Sequence, residues 1–139
     1  MATNWQLTAS KQWAAATRPG DLAIVGSGNL VPYLRYSGWR NVVYLPQFMR
    51  DNPDLGEIPK LLEERIEQTL QQGDAVYLTS DAGTIYDFYA EPMRVAGKAL
   101  FEQMLARCQW QEAFSYSLGE TEEIVVYQLV SRSCQFNYP

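Results

Sequence analysis

The sequence predicts an α/β fold: a three-layer, Rossmann-like sheet, mostly parallel, with a C-terminal antiparallel hairpin. Three observations carry this. Short apolar runs rich in strand formers recur at 21–25, 41–46 and 75–80, bounded by glycine or proline. Helical spacing fills the intervals between them. Two longer strand-like runs, 110–117 and 122–131, close the chain around Leu118-Gly119-Glu120. Strands alternating with helices imply parallel pairing through right-handed crossovers, and adjacent closing strands imply a hairpin. At 139 residues the chain reads as one domain, 1–139, long enough to bury a core.

Residues 7–17 read as a helix, capped by Thr8 or Ser10 and stopped by Pro19-Gly20. The run Asp21 to Val25 follows as a strand buried on both faces. Residues 29–37 return to helical spacing through Leu30, Tyr33 and Leu34, with Pro32 in the first turn, where its missing N–H costs nothing. The second strand is 41–46, and 47–59, with two prolines and a glycine, reads as a polar loop. Residues 58–72 carry a clear stripe, Ile58, Leu61, Leu62, Ile66 and Leu70, ended by Gly73. The third strand, 75–80, leads into helices at 82–90 and 93–107, broken at Pro92. The expected order is strand two, strand one, strand three, then the hairpin at the other edge. "GDLAIVGSG" at 20–28 echoes "GDAVYLTSD" at 73–81, so two similar strand-end loops face each other where the order reverses.

Composition removes several chemistries. The net charge is −5 with no basic run, which leaves nothing to displace counterions from nucleic acid. No apolar run approaches the roughly 20 residues of a membrane span, and the N-terminus lacks the pattern of a signal peptide. With no histidine, the chain cannot supply a Ser-His-Asp or Cys-His mechanism. Two cysteines are too few for a zinc site, so no metal is expected.

Gly26-Ser27-Gly28 invites a phosphate-binding reading, because helix-start N–H groups bind anions. The dinucleotide pattern fails twice: Val31 stands where a third glycine belongs, and Pro46-Gln47 replace the acidic residue after strand two. The P-loop lysine is also missing. No nucleotide or other cofactor is expected, and the loop reads as a sharp turn in which glycine permits an unusual backbone angle. The edge is nonetheless polar. Ser27, Gly28, Asn29, Gln47, Ser80, Asp81 and Thr84 are the candidate ligand-binding residues, suited to a sugar or another hydroxylated molecule. Tyr33, Tyr36, Tyr86 or Tyr89 would stack beside it. A plainer reading has Asp81 capping the next helix, and Glu120, Glu122 and Glu123 forming a solvated rim at the hairpin turn.

"RPGDLAIVGSGNLVPYLRYSGWRNVVYLP" resembles the soluble segment that follows the last membrane span of multi-spanning, lipid-linked-sugar glycosyltransferases. The Trp-containing helix in "NWQLTASKQWAAAT", the Pro-Gly-Asp before an apolar strand and the "YLRY" helix end carry the likeness, and "QGDAVYLTSD" fits the third strand. The likeness is one of pattern and covers about the first 80 residues. It implies an extracytoplasmic accessory domain that is not itself the catalyst, positioning substrate or contacting the membrane-embedded part. The alternatives are a free-standing Rossmann-like binder or enzyme for a sugar or nucleotide, and an interaction domain using exposed aromatics. Cys108 and Cys134 flank the hairpin. They read either as two buried thiols or as one disulfide, the latter suiting the oxidising compartment that the resemblance implies.

Overall fold

The computed structural model describes residues 5–28, 31, 34, 41–52, 54–119, 122–131 and 134–136. Five strands form one mixed sheet: β1 (Leu22–Val25), β2 (Val42–Tyr44), β3 (Val76–Thr79), β4 (Trp110–Leu118) and β5 (Glu122–Leu129), in the order β2-β1-β3-β5-β4. β1 pairs in parallel with β2 and β3, whereas β3–β5 and β5–β4 are antiparallel. The strand order matches the expectation. The description "mostly parallel" does not, because the hairpin joins β3 directly and contributes half the described pairings.

The α-helices among the described residues are α1 (Trp5–Ala16), α2 (Leu45–Asp51), α3 (Ile58–Gln71), α4 (Asp81–Thr84) and α5 (Met93–Arg107). Of the stretch 29–37, Val31 and Leu34 are helical and buried, and the remainder lies outside the described residues. α1 starts earlier than expected, so Ser10 sits within it and its hydroxyl donates to the Leu7 carbonyl instead of capping. α2 occupies part of the expected loop. Pro46 favours the first turn of a helix, and Leu45 and Met49, four apart, are buried together. The expected helix at 82–90 shrinks to α4 and a 3₁₀ turn, Ile85–Phe88, in which Tyr86 drops into the core with no exposure. Gly73 and Gly119 hold the positive φ angles of the α3 terminus and the hairpin turn.

Alternate strand residues go to opposite faces. Leu22, Ile24, Val76 and Leu78 pack with Ile58, Leu62 and Ile66 of α3 and Leu100 and Met104 of α5. Ala23, Val25 and Tyr77 pack with Ala9 and Trp13 of α1, Val31 and Leu34. A β-bulge between Glu112 and Phe114 reverses the alternation in β4. Trp110 therefore joins the first cluster, while Phe114 and Tyr116 join the second.

The echoed Gly-Asp pairs do different work. Asp21 is buried and accepts hydrogen bonds from the Arg18 N–H at 2.9 Å and the Ala75 N–H at 2.8 Å. It ties the start of β1 to that of β3. Asp74 stays partly exposed at the surface.

Candidate functional site

β5 runs antiparallel to β3, so its first residue, Glu122, lies at the carboxyl end of the parallel strands. A cavity of about 470 Å³ opens there, lined by Ser27, Asp81, Thr84, Ile85, Asp87, Phe88 and Glu122. The ends of β1 and β3 thus meet the hairpin tip around one space.

Asp81 is only 5% exposed. It does not cap α4; one of its carboxylate oxygens, Oδ1, turns back to Thr79 at the end of β3. Thr79 Oγ1 accepts from the Gly26 N–H at 3.2 Å and donates to Asp81 Oδ1. Asp81 Oδ2 is buried with no hydrogen-bond partner among the described residues. Burial pushes the Asp81 carboxyl above the usual carboxylate range, opposed by the Thr79 hydroxyl and the Gly26 N–H. The raised pKa sets the sign of a pH effect. Its contribution to stability is present at low pH and is lost as pH rises from the ordinary Asp range through the folded-state value. Asp81→Asn should therefore raise the neutral-pH stability, by about 1 kcal/mol. The gain over wild type should vanish near pH 3, where both side chains are neutral. Urea titrations of both proteins at the two pH values measure it.

Two further groups feel the charge of Asp81. Tyr116, buried on β4, has a hydroxyl with no partner among the described residues. Its pKa is raised by burial first, then by the negative charges of Asp81 and Glu122. Tyr44, at the end of β2, has its pKa raised by burial first, then by the neighbouring Tyr89 and the charge of Asp81, against the lowering pull of Arg50.

Gly26 resolves the reading of the glycine loop. Its φ is not positive, so an unusual backbone angle is not its reason. A Cβ there would lie 2.5 Å from the Asp81 carbonyl oxygen and 2.7 Å from the Ala82 Cα. The loop is glycine because the β3–α4 turn passes against it. Gly26→Ala should cost about 3 kcal/mol, since backbone must move on both sides, and thermal denaturation of the variant checks this. Gly28 sits against the Tyr44 ring, where a Cβ would come within 3.1 Å.

The structure gathers Ser27, Asp81 and Thr84 around the cavity and leaves Gly28, Gln47 and Ser80 out of its lining. Ser80 is committed to pairing: its N–H donates to the Val125 carbonyl at 2.8 Å, and its Oγ accepts from the Val125 N–H at 3.0 Å. Gln47 is on α2, beside a separate groove with Phe48, Asp51 and Arg65. Asn29, Tyr33 and Tyr36 lie outside the described residues. Tyr86 is buried and cannot stack on a ligand, while Tyr89 is half-buried against it, ring centroids 6.0 Å apart. Glu122, Asp87 and Phe88 were missed. Glu122 had the signal of an acidic hairpin rim, but its position follows only from the β3–β5 pairing.

A larger cavity, about 540 Å³, lies at the opposite end of the sheet, lined by Asn41, Arg65, Gln68, Thr69 and their neighbours. Its central groups are satisfied internally. Arg65 donates to Asn41 Oδ1 at 2.8 and 3.0 Å, Asn41 Nδ2 donates to Thr69 Oγ1, and Thr69 donates to the Arg65 carbonyl. An unpaired buried carboxylate oxygen marks the carboxyl-end cavity as the better candidate, because such a group is costly to leave unmet. Among the described residues no His/Cys/Asp/Glu cluster could hold a metal, and no helix is long and apolar enough to cross a membrane. Compared with protein-family models, curated proteins and solved structures, the chain matches none.

Proposed function

We propose that this chain is a non-catalytic domain that holds a hydroxylated ligand of the sugar class at the carboxyl edge of its sheet, in the service of a membrane glycosyltransferase. The observation that carries the binding half is the unpartnered Oδ2 of Asp81 beside a cavity lined with hydroxyl and carboxylate groups. Such groups orient a polyol by accepting from and donating to its hydroxyls. The glycosyltransferase half, with its extracytoplasmic location, rests on the sequence resemblance, which makes the domain a positioning partner of a membrane-embedded catalyst. The finer reading of the fold, a three-layer Rossmann-like arrangement, belongs to the same proposal. Its support is the packing of α1 on one face and of α3 and α5 on the other. In such sheets ligands sit beyond the carboxyl ends of the strands.

Two measurements test this. A ¹⁵N-labelled sample titrated with a mixed panel of sugars and sugar phosphates should shift the amides of 27, 81, 84 and 122; an unresponsive edge would overturn the binding half. Incubation of the isolated domain with a polyprenyl-phosphate sugar and an acceptor should give no transfer, and turnover would overturn the non-catalytic half.

A further inference from the structure

We infer that the carboxyl-edge cavity takes an uncharged sugar ring, seated on Phe88 and held by the carboxylates of Asp81 and Glu122, and that it rejects phosphorylated sugars. The inference rests on the binding reading above and narrows it to one chemical class.

Charge decides against a phosphate. Asp81, Asp87 and Glu122 all line the cavity, and none of the lining residues is basic. Lys98 is held by the lining residue Asp87 in an ion pair. Two backbone donors of the glycine loop are also committed: the Gly26 N–H goes to Thr79 Oγ1 and the Val31 N–H to the Gly28 carbonyl at 3.3 Å. Among the described lining residues no guanidinium or ammonium is directed at the cavity. A dianion would meet like charges instead, which disfavours it by Coulomb repulsion.

The same lining suits a neutral polyol. Ionised carboxylates are acceptors only, and each takes up to four hydrogen bonds. A sugar supplies hydroxyl donors at adjacent ring carbons. Thr84 adds a hydroxyl, and Asp81 Oδ2 has no competing partner among the described residues. Phe88 completes the arrangement. Its side chain borders the cavity and is 86% exposed, so the ring is open to a ligand. An aromatic face carries negative potential and attracts the partly positive C–H bonds on the flat side of a pyranose. One apolar platform beside polar acceptors matches a ring with C–H bonds on one face and hydroxyls at its edge.

The test uses the labelled full chain and three probe pairs: the methyl glycosides of glucose, galactose and mannose, and the corresponding sugar 1-phosphates. At least one glycoside should shift the amides of 81–88 and 122, with its phosphate at least about tenfold weaker, a gap of about 1.4 kcal/mol. Phe88→Ala, at an exposed position where folding should persist, should weaken the glycoside about tenfold, a size that aromatic contacts reach; its spectrum reports whether the fold is intact. A phosphate binding as tightly as the glycoside at these residues would overturn the neutral-ring inference and leave the site standing. Unchanged glycoside affinity in Phe88→Ala would also overturn it. Shifts at neither set of probes would sink the inference and the underlying site together.

Discussion

Trp13→Ala should lower stability by about 4 kcal/mol, the range for emptying a buried aromatic site. Trp13 has no exposure and sits where α1 meets the sheet. Its ring meets Phe114 edge-on at 5.1 Å and Tyr77 at 6.1 Å, and lies 6.3 Å from Tyr116. These partners come from two different strands, so the indole joins the parallel half of the sheet to the hairpin. It also backs Tyr116, whose hydroxyl feels the charges of Asp81 and Glu122. Trp13→Phe should recover part of the loss, because a phenyl ring keeps some of the edge contacts. Urea denaturation followed by far-ultraviolet circular dichroism measures both variants. A loss below about 1 kcal/mol for the alanine variant, the size of a surface change, would mean that α1 is not docked as described.

Removing the Cys108–Cys134 bridge should cost roughly 3 kcal/mol, mostly by freeing the unfolded chain. The two residues are 26 apart in sequence, with Cα atoms 5.1 Å apart. The bridge closes the hairpin at its base and holds the segment that follows it. Cys134 and Phe136 are buried there, and their N–H groups donate to Glu67 and Glu63 of α3, each at 3.1 Å. The double variant Cys108→Ser, Cys134→Ser should unfold at a lower urea concentration than the oxidised protein, and reductant should bring the wild type to a similar midpoint. A wild-type midpoint indifferent to reductant would contradict the stabilising role. Recovery of the oxidised form from cells would support the extracytoplasmic placement proposed above, since such bonds persist in oxidising compartments.

Much of the sheet was legible because apolar runs and Gly-Asp starts are local signals. The stripe from Ile58 to Leu70 gave α3 for the same reason. What the sequence concealed depended on partners far away along the chain. Leu45 and Met49 look like a strand end and a loop until helix geometry brings them onto one buried face. Tyr86 looks like a stacking ring, yet it fills the space left by Gly97, where a Cβ would come within 2.4 Å of it. Asp21 and Asp74 are indistinguishable in their echoed segments, although only Asp21 accepts the Ala75 N–H. The site divided in the same way. Ser27, Asp81 and Thr84 could be placed from the strand ends, whereas Glu122 reaches them only because β5 pairs with β3.

The central claim is that ligand enters at the carboxyl edge, and a crystal structure of the domain soaked with a methyl glycoside tests it most directly. Density for the sugar is expected between Asp81, Glu122 and Phe88, with a hydroxyl within hydrogen-bond distance of Asp81 Oδ2. Density instead in the opposite cavity, between Asn41, Arg65 and Gln68, would contradict it.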